Sequence, residues 1–234
     1  MIQVAALMPI RNFGDAKNRL SGVLDQKERS LLFSAMVEDV LATLQGCAKV
    51  DSIVVVTNDL EAGALAQDYG ATVIPEPERP GLIRAVSEAA RQLTEAGVEV
   101  MLFLPGDVPL VGIEELEVVL EGFGQSEKPE LVIVPAKDMG GTNCMAISPP
   151  SAIDFKFGED SYKKHLDSAR SMEIEPQTLR LPGIGLDIDT PADLMQLLDI
   201  YEKEMGGGSE YYTLRYLVSS GIAERLAMVS KELD

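Results

Sequence analysis

"VMLFLPGDVPLV", Val100 to Val111, decides the fold. Its first half is an unbroken apolar run of strand length; its second half turns on two prolines around a single acid. A strand that is apolar on both faces belongs inside a sheet covered by helices on each side. The flanking sequence agrees. "QVAALM", "SIVVVT", "ATVIP" and "LVIVP" are further short apolar runs, separated by segments with apolar residues at helical spacing. Gln26 to Leu44 carries Leu31, Leu32, Met36, Val40, Leu41 and Leu44, and Asp25 with Glu28 forms a capping box ahead of it. Leu60 to Tyr69, Leu82 to Ala96 (closed by Gly97) and Ile113 to Glu121 predict further helices. This alternation defines an α/β chain with a mostly parallel sheet and helices on both faces. Ligands of such sheets sit beyond the carboxyl ends of the strands.

After Met139 the rhythm breaks. "GGTNCMAIS" reads as a loop and an added strand, and "FKFGEDSYKKHL" as a loop entering a helix at Ser161. Thr190, Pro191 and Asp193 make a helix entry: a cap, a proline in the first turn and an acid at the third position. "GGGS", Gly206 to Ser209, reads as a hinge dividing a body, 1–205, from a helical tail, 206–234. The tail carries Leu214, Leu217, Val218, Ile222, Leu226 and Val229 at helical spacing, with Gly221 weakening its middle. It predicts one or two amphipathic helices docked on the body or on a second subunit, which leaves a homodimer open.

The chain has 234 residues and a formal net charge of −18, which argues against a nucleic-acid binder. The positive charge is nevertheless concentrated near the N-terminus, in Arg11, Lys17, Arg19, Lys27 and Arg29. No apolar run is long enough to span a membrane, and "MIQVAALMPIRNF" reads as a first strand rather than a signal. Cys47 and Cys144 show neither metal-ligand nor disulfide-framework spacing, so a reducing cytoplasm is the expected location.

Several clusters carry chemistry. The loop "MPIRNFGDAKNRL" can wrap phosphates with backbone N–H groups, Lys17 and Arg19, although a solvated basic loop would read the same way. Asp107, after the central strand, is placed for Mg²⁺, for an Asx turn or for a cap of the helix at Ile113. If "GLDIDTPADL" enters the following helix as a strand, Asp187 and Asp189 share one face, and only one acid is needed as a cap. Three carboxylates at two strand ends would suit divalent cations, which at roughly 3.5–4 Å apart clamp a displacement at phosphorus. "GGTN" and "FGEDS" offer backbone N–H groups and hydroxyls, and Ser161 at a helix start suits a phosphate or carboxylate. His165, the chain's one histidine, can reach the same pocket or serve as a half-buried helix residue. With one histidine and two scattered cysteines there is no nucleophilic triad or zinc cage. A reaction whose attacking group is already an anion needs no general base.

Taken in order, "AKNRL", "GDVPL", "GGTN", "FGEDSYKKHL" and "LDIDTPADL" resemble the CofC/FbiD guanylyltransferases of coenzyme F-420 biosynthesis, over about Val4 to Leu198. The resemblance implies a Rossmann-like, GT-A-type nucleotidyltransferase domain. It implies transfer of GMP from GTP to 2-phospho-L-lactate, phosphoenolpyruvate or 3-phospho-D-glycerate, with release of pyrophosphate and the help of Mg²⁺, two ions being expected. By position, Asp107, Asp187 and Asp189 look like the metal ligands. Thr142, Gly158 and Ser161 look like the acceptor pocket, and Arg11, Lys17 and Arg19 like triphosphate contacts, with Lys17, Arg19 and Asp107 at the reaction centre. Thr57, Pro75, Glu76 and Gly81 match segments around the nucleoside. The chain departs at "GLI", Gly81 to Ile83, where relatives read G-L-N or D-L-N. Ile83 cannot hydrogen-bond a base or sugar, so GTP over ATP is the preference the resemblance fixes least. Two alternatives share the sequence features: another nucleotidyltransferase of this fold, of the molybdenum-cofactor or sugar-phosphate type, and a non-catalytic nucleotide sensor.

Overall fold

The computed structural model describes residues 2–14, 16–125, 128–203 and 211–231, with side chains through Ala227 in the last segment. The expected Gly-rich hinge, and the side chain of Val229, lie outside the described residues.

Among the described residues seven strands form one sheet: β1 (Val4–Pro9), β2 (Ser52–Val56), β3 (Thr72–Ile74), β4 (Val100–Phe103), β5 (Glu130–Pro135), β6 (Thr142–Ser148) and β7 (Gln177–Thr178). Their spatial order is β3-β2-β1-β4-β6-β5-β7. β1 lies parallel between β2 and β4, and β5 is parallel to β7. β6 runs antiparallel to both β4 and β5. The reason is local. The chain leaves β5 and returns within a tight turn, where Ala136 N–H donates to Gly141 C=O and Met139 N–H to Ala136 C=O. So short a connection can only make an antiparallel neighbour. β6 therefore brings its first residues, Thr142 and Asn143, to the edge that β1 and β4 reach with their last ones.

Helices cover both faces, as the apolar strands require. The helices are α1 (Gln26–Gly46), α2 (Leu60–Asp68), α3 (Leu82–Glu95), α4 (Ile113–Val119), α5 (Ser161–Ser171), α6 (Pro182–Gly185), α7 (Pro191–Lys203), α8 (Tyr212–Ser219) and α9 (Ile222–Lys231). Along β1, Val4, Ala6 and Met8 join a core with α1, α2 and α4, while Ala5 and Leu7 join one with α3 and α5. The period of two thus assigns each side chain to a face. The Asp25–Glu28 capping box is present, with bonds of 2.8 and 2.9 Å.

A third core lies off the sheet. Leu20, Leu32, Met36, Leu110, Leu186 and Ile188 pack there with Leu194, Leu197 and Tyr201 of α7 and with Leu214, Leu217, Ile222 and Leu226 of α8 and α9. Gly221, at φ +71°, breaks the tail into its two helices. The tail packs on α1, where the buried Asp39 carboxylate accepts the N–H groups of Tyr212 at 2.7 Å and Thr213 at 2.9 Å. These bonds satisfy orphan donors of the first turn of α8.

Burial outweighs those two hydrogen bonds and raises the Asp39 carboxyl from 3.8 to about 6. A group bound more tightly to its proton in the folded chain stabilises fully below pH 3.8 and loses that contribution as pH rises through about 6. Asp39→Asn removes this titration. Chemical denaturation of both proteins at steps from pH 4 to 7 is expected to show wild-type stability falling relative to the variant, by an amount on the order of 3 kcal/mol. Parallel pH profiles would contradict the assignment.

Candidate active site

The site is assembled at the carboxyl edge of β1 and β4 from three distant segments. After β1 the chain is pinned by Ile10 N–H to Val56 C=O and by Phe13 N–H to the Asp59 carboxylate. Lys17 then adopts a left-handed conformation, φ 55° and ψ 42°, which a side-chain-bearing residue seldom takes. This turns its side chain inward. Its ammonium lies 2.7 Å from Asp107 Oδ2 and 2.6 Å from Asp189 Oδ1, and 5.6 Å from the centre of the Phe33 ring. Only 5% of the Lys17 side chain is exposed. Burial alone would lower its pKa, but the two carboxylates outweigh it and the group is held above its usual value. Arg19, largely exposed, reaches the other oxygen of Asp189 at 3.5 Å.

Asp187 and Asp189 do not stand on a strand, contrary to the sequence expectation. They lie on the unpaired segment between α6 and α7. The segment nevertheless alternates, with Leu186 and Ile188 buried and the two acids on the other side. Its anchors are specific. Ile188 N–H donates to Asp107 C=O at 3.0 Å, which fixes one acidic segment against the other. Glu115 accepts the N–H groups of Gly183 and Ile184 at 2.8 and 2.9 Å. Gly183 has no room for a side chain, since a Cβ would fall 2.3 Å from the Leu110 carbonyl oxygen. Asn143 Nδ2 donates to Ile184 C=O and to Asp187 Oδ1, both at 3.0 Å. Thr190 and Asp193 cap α7 reciprocally, so neither Asp187 nor Asp189 is its cap. Nothing in the sequence marks Glu115 or Phe33, and "GGTN" points to its backbone and hydroxyl rather than to Asn143.

The cleft above these groups has a volume of about 630 Å³. Arg11, Lys17, Glu76, Gly81, Asp107 and Asp189 line it. Thr57 is buried in the adjoining turn, where its hydroxyl accepts Asp59 N–H, and Pro75 is exposed beside Glu76. Gly81, at φ +145°, starts α3. A second hollow of about 590 Å³ adjoins at Gly81 and Leu82, and Ile83, Phe157 and Gly158 line it. Thr142 and Ser161 meet behind this region, with Ser161 Oγ donating to Thr142 Oγ1 at 3.3 Å. His165 is fully buried rather than half-buried, bonded to Thr142 Oγ1 at 2.9 Å.

Among the described residues, no three acidic, histidine or cysteine side chains are already gathered around one point. The Lys17 ammonium stands between two of the acids instead. The surroundings still fit a hard cation: two carboxylates already hold a positive charge, and every donor is oxygen. Asp187 lies beside them. Burial first, then the charges of Asp107 and Asp189, raise its pKa despite the bond from Asn143. Lost solvation and like charge both disfavour its ionised form when no cation is near.

The fold is that of the α/β nucleotidyltransferases. A protein from Desulfovibrio desulfuricans G20 described as a nucleotide-diphospho-sugar transferase superposes with a TM-score of 0.75 at 18% identity, covering 96% of this chain and 98% of its own. The model of the family "Guanylyl transferase CofC like" matches residues 4–231, and the chain belongs to that family of nucleotidyltransferases. The match includes the tail. Among relatives, a phosphoenolpyruvate guanylyltransferase of Conexibacter woesei is 32% identical over 87% of this chain and 91% of its own. A 2-phospho-L-lactate guanylyltransferase of Methanobrevibacter ruminantium is 32% identical over 95% and 93%.

Lys17→Met keeps the aliphatic stem and deletes the charge. In metal-free buffer, urea denaturation is expected to show a loss of about 1–3 kcal/mol, below the roughly 3–5 kcal/mol of a fully buried pair because both carboxylates reach solvent. An unchanged midpoint would mean that the ammonium does not hold the segments together.

Proposed function

We propose that this chain is a guanylyltransferase that joins GMP from GTP to a small phosphorylated acid and releases pyrophosphate. The observation that carries this reading is the Lys17 ammonium between Asp107 and Asp189 at the mouth of a nucleotide-sized cleft. Family membership and relatives named for phosphoenolpyruvate, 2-phospho-L-lactate and 3-phospho-D-glycerate support the choice of base and acceptor class.

In this reading an oxygen of the acceptor's phosphate attacks the α-phosphorus of GTP in line. The new P–O bond forms as the bond to the β-phosphate oxygen breaks, and the electron pair leaves with pyrophosphate. The nucleophile is already ionised, so no base has to remove a proton; the chain's one histidine is buried away from solvent. Arg11, Lys17 and Arg19 take up charge on the triphosphate, and the nucleoside lies toward Glu76 and Gly81, with Thr57 and Pro75 shaping the turns behind. Preorganised charge of this kind accounts for most of the catalysis of phosphoryl and nucleotidyl transfer. Asp107 and Asp189, with Asp187 beside them, would hold Mg²⁺. An ion held there would supply positive charge for phosphate oxygens. Lys17 lines the cleft and is placed to contact triphosphate oxygens. Thr142, Gly158 and Ser161 bind the acceptor's anionic groups.

The test is pyrophosphate release with GTP and Mg²⁺, run in parallel with phosphoenolpyruvate, 2-phospho-L-lactate and 3-phospho-D-glycerate, and with ATP replacing GTP to probe the position of Ile83. Release with at least one acid is expected, and GTP binding without release for any of them would reduce the chain to a nucleotide-binding protein. Asp107→Ala and Asp189→Ala are expected to lower turnover by at least about a thousandfold, several kcal/mol of transition-state stabilisation. Near-normal rates in folded variants would remove the metal assignment.

A further inference from the structure

We propose that His165 is a positioning residue for the acceptor pocket: its ring holds the Thr142 hydroxyl so that the hydroxyl proton is offered to the bound acid. This rests on the reading of Thr142, Gly158 and Ser161 as the acceptor site.

The ring's two nitrogens have assignable roles. The backbone N–H of Lys156 meets Nε2 at 2.9 Å, and an amide N–H can only donate, so Nε2 is the acceptor. A neutral imidazole then carries its proton on Nδ1, which donates to Thr142 Oγ1 at 2.9 Å. The same oxygen also accepts from Ser161 Oγ at 3.3 Å. A threonine oxygen has two lone pairs and one hydrogen. With both lone pairs engaged, the hydrogen must point in the remaining direction, and among the described residues no acceptor meets it. A threonine left to itself would accept as readily as it donates. Here it is fixed as a donor, the polarity a carboxylate or phosphate requires.

The fold keeps the ring in this state. Ser161 and His165 are one turn apart on α5 and share a face. Phe157 and Phe155 stand edge-on to the imidazole at 4.9 and 6.4 Å, and Phe157 packs on Phe103 of β4. Burial, with no charged group contributing, lowers the imidazole pKa to about 4, so the ring is neutral at physiological pH. One side chain thereby ties together the start of β6, the 155–158 segment that leads into Gly158, and α5.

Two substitutions separate holding the pocket from merely filling the core. Asn at 165 can reproduce the Nδ1 donor but not the Nε2 acceptor; Gln does the reverse. His165→Gln is expected to raise the KM for the acceptor acid about tenfold, the scale of one hydrogen bond to a charged group, with the KM for GTP unchanged. His165→Asn is expected to keep an acceptor KM near wild type even where its stability falls. Because the chain has a single histidine, ¹⁵N NMR of the imidazole reads one ring, and the Nδ1–H tautomer is expected in the free protein at pH 7. An Nε2–H tautomer would overturn the proposal whatever the acceptor site proves to be. Ser161→Ala is the control for the reading beneath it. If Ser161→Ala raises the acceptor KM and His165→Gln does not, the histidine is structural and the pocket stands. If neither moves it, the acceptor site lies elsewhere and the inference falls with it.

Discussion

The structure depends on one buried ammonium. Lys17 joins Asp107, 90 residues away, to Asp189, 172 residues away, through bonds of 2.7 and 2.6 Å. Two carboxylates crowded at one sheet edge repel each other, and the lysine removes that cost while the desolvation of its own charge is offset by their attraction. The apolar chemistry around it is arranged to the same end. Leu20 follows Lys17, Leu110 follows Asp107, and Leu186 and Ile188 flank Asp187; all four enter the third core. Each charged segment is thus held from below by a leucine or isoleucine in a shared apolar cluster, and from above by charge.

β4 marks a seam. On one side lie the parallel strands β1 to β3 and the cleft with Arg11, Glu76 and Gly81. On the other lies β6, whose reversed direction delivers Thr142 to the same edge, backed by α5. Asp107 follows the seam strand and faces the first half, while Asn143, from the second, reaches across to Asp187. The division between nucleotide and acceptor in the proposed reaction follows the division of the sheet into parallel and antiparallel parts.

Much of this was legible in the sequence because it is local or periodic. Apolar runs gave the central strands, and Asp25 with Glu28 gave the start of α1. The two glycines after Met139 marked the return into β6. Alternation of an extended chain puts Asp187 and Asp189 on one side, but not on a strand: the segment is held by Glu115, Asn143 and the Asp107 carbonyl rather than by a sheet ladder. What could not be read were contacts without sequence proximity. Lys17 looked like one of several loop cations, and nothing nearby indicates that it alone turns inward. Asp39 and Glu115 look like ordinary solvated acids on helices, yet each holds the backbone of a segment at least 68 residues distant. His165 fits a core or a pocket residue by sequence, and its bonds tie the buried face of α5 to Thr142 and to the Lys156 backbone.

The third core also sets an order of events during synthesis. Asp39 and the apolar face of α1 leave the ribosome long before the helices that cover them, since their partners begin at Tyr212. Until then the nascent polypeptide exposes Leu32 and Met36, and the ground beneath Lys17 and Asp189 stays incomplete. The edge that carries Lys17 and Asp189 is therefore underpinned only once α8 and α9 have emerged, and a product stalled before them would leave the apolar face of α1 uncovered.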